Sequence, residues 1–100
     1  MNNEAIVNIE PDVLEEKDTD VIDNIGFSAK VILFNDEWHS FDEVINQIIK
    51  ATGCTLKKAE SLTLEVHTSG KSAVFEGELQ ECLIVSSILE EIALHTQVEY

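Results

Sequence analysis

Two short stretches of this chain gather the side chains that chemistry needs. The first is Asn35-Asp36-Glu37-Trp38-His39-Ser40, which sets an amide, two carboxylates, an indole, an imidazole and a hydroxyl side by side. The second is Val66-His67-Thr68-Ser69-Gly70-Lys71. An apolar run enters the first stretch and an amphipathic run leaves it, so its polar groups are held by regular elements on both sides. The plain alternative is a polar turn leading into a helix, because Asn and Asp bond nearby backbone groups and favour turns. Ser40 already serves as the cap, however, and the stretch holds more polar function than a cap requires. For His67 the plain alternative is a charge that suits the C-terminus of a helix. It could also reach across to the end of the first strand.

Other chemistries find less support. His39, His67, His95, Cys54 and Cys82 are the candidate metal ligands, and none stand at a short ligand spacing such as C-x-x-C or H-x-x-x-H. No metal and no cofactor are expected. Cys54 or Cys82 with His67 would be needed for nucleophilic catalysis, but Cys82 falls on an inward helix face, where a free Cys acts as a small hydrophobe. Asp36 with Glu37 lacks a second feature for acid–base work. The four glycines are dispersed and form no phosphate loop. No catalytic constellation is visible, and the chain is not expected to be an enzyme.

The elements that position these residues follow from periodicity. Ala29 to Phe34 reads as a strand with Val31 and Leu33 on one face and Ile32 and Phe34 on the other. Apolar residues on both faces mark a central strand. Ser40 with Glu43 three residues on forms a capping box. Phe41, Val44, Ile45, Ile48 and Ile49 then trace one face of a helix that Gly53 stops. Thr55 caps a second helix with Leu56, Ala59, Leu62 and Val66 as its stripe and Gly70 at its end. Lys71 to Phe75 is a short strand, and Gly77 separates it from a third helix at about Glu78 to Leu94. In that helix Leu79, Cys82, Leu83, Ser86, Leu89, Ile92 and Ala93 point inward. Thr96 to Tyr100 can form a closing strand. The order β-α-α-β-α-β predicts an α+β domain, a three-stranded antiparallel sheet with helices on one face.

Composition sets the outer bounds. One hundred residues allow one domain. The net charge is −14, and it is spread through the chain. Residues 1–29 carry eight acids and one base, and residues 30–100 carry twelve acids and five bases, so each part holds −7. Such a chain repels phosphate backbones and anionic lipid, so neither nucleic acid nor membrane is an expected partner. Residues 1–29 show no sustained period and read as a flexible acidic N-terminal extension, with the domain at 30–100. No signal peptide and no run of about 20 apolar residues is seen, and the expectation is a cytoplasmic protein with reduced thiols.

Val31-Ile32-Leu33-Phe34-Asn35-Asp36-Glu37, followed by Phe41 and Val44 and then by Val66-His67-Thr68-Ser69-Gly70-Lys71, resembles the ClpS family, the adaptors of the Clp protease. The two motifs together, at matching separation, are specific, and the resemblance covers about Lys30 to Glu99. It implies a non-enzymatic adaptor. Such an adaptor binds N-degron substrates, proteins whose first residue is Leu, Phe, Tyr or Trp, and hands them to a Clp AAA+ ATPase of the ClpA or ClpC kind for degradation. By position in the motifs, Asn35, Asp36 and His67 would hold the free α-amino group. Leu33, Phe41, Val44, Val66 and Val98 would form the pocket for the first side chain, with Thr63 at its edge. Glu78 would contact the ATPase. The alternative is an interaction domain of the same fold that modulates a Clp ATPase without reading N-terminal residues.

The residue types suit that role. An α-amino group with a pKa of about 7.7–8 is mostly an ammonium near neutral pH, and Asp36, Asn35 and a neutral His67 offer it acceptors. Three positions depart from the family pattern. Phe41 stands where Met is usual, which bears on pocket size. Trp38-His39-Ser40 lacks a proline often found there. Leu83 replaces a lysine on the ATPase-facing helix.

Overall fold

The structure, a computed structural model, describes residues 28–100. Residues 1–27 of the acidic extension lie outside the described residues, and Ser28 and Ala29 belong to a strand rather than to the extension. In chain order the elements are β1 Ser28–Phe34, α1 Phe41–Thr52, α2 Leu56–Ser69, β2 Lys71–Glu78, α3 Leu79–Leu89, a 3-10 turn Glu90–Ile92, and β3 Thr96–Glu99. This is the expected β-α-α-β-α-β order. The sheet order is β2-β1-β3 with both pairings antiparallel. β1 is therefore the central strand, as its two apolar faces require.

Alternation along β1 directs Ala29, Val31 and Leu33 into one core with Ile45 and Ile48 of α1, Ala59, Leu62 and Val66 of α2, and Cys82, Val85 and Leu89 of α3. Burial pushes the Cys82 thiol up, against the contact of its sulfur with the Gly77 carbonyl, and the residue serves as core. The caps form as their sequences dictate. Ser40 Oγ accepts from the Glu43 amide at 3.2 Å while Glu43 Oε1 accepts from the Ser40 amide at 2.8 Å. Thr55 Oγ1 accepts from the Lys58 amide at 3.1 Å. Thr55→Ala removes this cap and is expected to cost about 1 kcal/mol in denaturant unfolding. The change is confined to the N-terminal end of α2, away from His67 in its last turn.

Several boundaries and inward positions differ from the sequence expectation. β2 runs on through Gly77, which pairs with Ala29 instead of separating two elements. A Cβ there would stand 2.6 Å from Glu81 Oε1 and 3.0 Å from the Phe75 ring, so a larger residue would push the Glu81 carboxylate and the Phe75 ring aside. α3 stops at Leu89, five residues before the expected Leu94, and its last turn tightens into the 3-10 turn. Ala93 then adopts the left-handed conformation at φ 66° and turns the chain towards β3. Finally, Cys82, Val85, Ser86 and Leu89 make the buried face of α3. Leu83 falls about 100° away on that helix and is 52% exposed, and Ala93 is exposed as well, so neither points inward. Leu56 and Tyr100 are likewise exposed, and β3 ends at Glu99.

Candidate functional site

The C-terminal end of β1 is fixed from both sides. The Phe34 amide donates to the His95 carbonyl at 3.0 Å, next to β3, and the Asn35 amide donates to the Gly70 carbonyl at 2.9 Å. Gly70 caps α2 in the left-handed region at φ 89°, which presents its carbonyl to Asn35. The end of the first strand and the end of the second helix are thus joined by one hydrogen bond. That bond brings Asn35 and His67, distant in sequence, to one place.

Beyond Asn35 the chain makes a tight loop organised by Asp36. Its Oδ1 accepts from the Trp38 amide at 2.9 Å and the His39 amide at 3.0 Å, and its Oδ2 lies 2.8 Å from His39 Nδ1. Burial raises the Asp36 pKa, but the amides of His39 and Trp38 and the His39 ring outweigh that and hold the carboxyl below its usual range. An ionised carboxylate offers about four lone-pair sites, so Asp36 keeps one acceptor position, on Oδ2, for a ligand. The His39 pKa is raised, first by its contact with the Ile92 carbonyl and then by Asp36. Burial opposes this, and the charges of Asp36 and Glu43 add to it.

Around this loop lies a cavity of about 340 Å³, near the lower end of the range for ligand pockets. Asn35, Asp36, Glu37, His39 and His67 line its polar side, and Leu33, Phe41, Val44, Val66 and Leu94 its apolar side. Phe41 is 42% exposed and its ring meets His67 edge to face, with centroids 5.1 Å apart. Thr63 also lines the cavity, with its hydroxyl bonded to the Ala59 carbonyl at 2.7 Å. The cavity therefore has an acceptor-rich mouth of negative charge over a floor that can take one large apolar side chain.

The structure brings Asn35, Asp36, His67, Leu33, Phe41, Val44, Thr63 and Val66 together around the cavity, and it leaves Val98 out. Val98 pairs with Val31, and Thr96 with Leu33. Because β3 runs antiparallel to β1, Val98 lies two residues back along the sheet from the mouth and packs against the core. Leu94 lines the cavity in its place. The sequence places Leu94 in the last turn of α3, and the left-handed Ala93 that swings it inward has no sequence signal, since Ala favours helix. The sequence offers His39 as a candidate metal ligand and not as a partner of Asp36, although Asp36 and His39 stand three apart, the reach of a side-chain pair across one turn. Glu78 stands at the N-cap of α3, exposed, opposite Ser28. Six residues of strand, about 20 Å, separate it from the cavity end of the sheet. Among the described residues no cluster of three or more His, Cys, Asp or Glu could hold a metal, and no helix is long and apolar enough to cross a membrane.

Fold and cavity define a small α+β domain whose polar and apolar cavity opens where the central strand ends. The chain belongs to the ClpS family: the model of the ATP-dependent Clp protease adaptor protein ClpS matches residues 27–98. This is a family of adaptors and not of catalysts. Human E3 ubiquitin-protein ligase UBR2 is 36% identical over 58 residues, covering 58% of this chain and 3% of the ligase. Human E3 ubiquitin-protein ligase UBR1 is 35% identical over 66 residues, covering 66% of this chain and 4% of the ligase. The chain thus spans only a small part of these curated relatives. A solved structure, Agrobacterium tumefaciens ClpS2 bound to L-phenylalaninamide, shares the fold with a TM-score of 0.68 at 15% identity. That match covers 72% of this chain and 94% of the other.

Proposed function

We propose that this chain recognises proteins by a free amino terminus followed by a large hydrophobic side chain, and delivers them to a Clp AAA+ ATPase for degradation. The observation that carries the recognition half is a cavity that joins two chemistries, acceptors at its mouth and apolar walls below. Asn35, Asp36 and His67 would take the ammonium. Leu33, Phe41, Val44, Val66 and Leu94, with Thr63 at the edge, would enclose the first side chain. An internal peptide segment lacks the ammonium and a charged first residue lacks a match to the walls, so both features are read together. The solved ClpS2 structure, bound to an amino-acid amide with a free amine and a phenyl ring, supports this reading. Delivery rests on the family, with exposed Glu78 as the contact proposed for the ATPase.

The test is a set of peptides that differ only at residue 1. Trp38 is the only tryptophan of the chain and is 88% exposed on the loop beside the cavity, so its fluorescence is a ready readout for the peptides that lack Trp, and calorimetry reads the Trp-led one. Phe, Leu, Tyr and Trp are expected to bind. Replacing Phe by Ala removes about 1.5–3 kcal/mol of burial, about ten- to hundredfold in Kd. Equal binding of the Ala-led and Phe-led peptides would rule the pocket out and leave an interaction domain without N-terminal recognition. Delivery predicts faster degradation of a Phe-led reporter by a Clp ATPase–protease when this chain is added. The resemblance to the UBR ligases favours a second reading of the downstream step alone, in which the same recognition site serves ubiquitin transfer. Binding without accelerated Clp degradation would favour that reading.

A further inference from the structure

His39 lies between two acceptors. Its Nδ1 is 2.8 Å from Asp36 Oδ2 and its Nε2 is 2.5 Å from the Ile92 carbonyl oxygen. A carboxylate and a carbonyl have no hydrogen to give, and a neutral imidazole carries one N–H. The neutral ring can satisfy one neighbour and must turn a lone pair on the other. The imidazolium donates to both. A protonated Asp36 would also complete the pair, but its other oxygen accepts two backbone amides, and that favours the ionised acid.

The partners of His39 belong to the two sides of the cavity. Asp36 organises the binding loop. Ile92 closes the 3-10 turn, and two residues on, past left-handed Ala93, Leu94 forms part of the apolar wall. α1 is already seamed to this segment: Gln47 Nε2 donates to the Ile88 carbonyl at 2.6 Å, and Lys50 pairs with Glu91 at 2.8 Å. His39 extends that seam to the loop. We propose that His39 is a positioning residue of the amino-terminus site, a doubly protonated strut that joins the Asp36 loop to the Ile92 carbonyl and so fixes the ammonium acceptors relative to the Leu94 wall. This rests on the recognition reading above.

The charged groups around the ring favour its cationic form. Asp36 on the loop and Glu43 on α1 both act on it. At the end of α3, Glu91 is turned to Lys50 and Glu90 Oε2 accepts from the Thr96 hydroxyl. His67 of α2 is the other imidazole on the cavity wall. A cation beside Asp36 weakens its pull on a ligand ammonium by about fivefold at a wetted rim. Holding the carboxylate in place outweighs that, since a fixed charge-assisted bond is worth about ten- to hundredfold.

The experiment pairs nitrogen NMR of the His39 ring with affinity for a Phe-led peptide across pH, in the full chain and in His39→Gln. The Gln amide can donate to one acceptor but sets its oxygen against the other. Expected are two protonated ring nitrogens at pH 7, and about tenfold weaker binding by the variant, the scale of one charge-assisted bond. That gap should close as pH rises through the pKa of the ring. The ligand amine also deprotonates there, but it does so equally for both proteins. A single neutral tautomer at pH 7, equal affinities, or a gap that does not vary with pH would overturn the proposal. If the wild-type chain binds no peptide, the recognition reading fails first. The strut is then judged by ring protonation and by exchange of the Trp38 and His39 amides, which His39→Gln should accelerate. Unchanged exchange would sink it. If the variant does not fold, the ring protonation and the pH profile of the wild-type chain decide.

Discussion

A peptide beginning with phenylalanine is expected to lose at least about a hundredfold in affinity when its amino group is acetylated. The ammonium has three N–H donors and one charge, and acetylation removes the charge and leaves a single amide N–H. The polar side of the cavity has acceptors to match: the remaining site on Asp36, the Asn35 amide oxygen and the His67 ring. Charge-assisted hydrogen bonds contribute about 1.5–3 kcal/mol each, so losing two of them exceeds the ~2.7 kcal/mol that a hundredfold represents. Burial of the phenyl ring, about 1.5–3 kcal/mol, remains, but it must still meet the entropic cost of association. Titration of Trp38 fluorescence with the free and acetylated peptides measures the difference. Comparable affinities would show that the acceptors at the mouth serve the loop and not a ligand.

The elements around the site were legible in the sequence where a single local rule decides the outcome. The capping box at Ser40, the glycine caps at Gly53 and Gly70, and the doubly apolar β1 all act through neighbouring residues, and all form as their patterns require. Illegible features depended on contacts made across the fold. Gly77 reads as a breaker until Phe75 and Glu81 are seen to crowd it. Gln47 looks like a surface residue of α1, yet it is buried and bonds the end of α3. Leu94 and Val98 exchange places at the cavity because one left-handed alanine shortens the third helix and resets which residues reach the mouth. The register of β3 against β1 settles that exchange, and no pattern within β3 encodes it. His39 is the same kind of case: its role exists only because Ile92, fifty-three residues away in the chain, presents a carbonyl to it.

Asp36 carries two tasks, and two substitutions separate them. Asp36→Ala is expected to remove the acceptor of the Trp38 and His39 amides together with the partner of the His39 ring. The loop then loses its organisation at a cost of about 1–3 kcal/mol for the unsatisfied donors, and peptide binding falls by more than about tenfold. Asp36→Asn keeps an oxygen for the two amides but loses the charge. It should retain most of the stability while binding weakens by a similar factor, because an ammonium then meets only neutral acceptors. The pH dependence follows from the direction of each shift. The Asp36 pKa is lowered on folding, so its stabilisation is present above the unfolded value near 3.9 and is lost as pH falls through the lower folded value. The His39 pKa is raised, so its stabilisation is full below the unfolded value near 6.5 and is lost as pH rises through the higher folded value. The pair is therefore strongest between those limits, in mildly acidic solution, where a ligand amine is also fully charged. Urea unfolding of the wild-type chain against Asp36→Asn from pH 4 to pH 9 should show their difference in stability shrinking towards the alkaline end. A difference that grows with pH would mean that the carboxylate, and not the ion pair with His39, holds the loop.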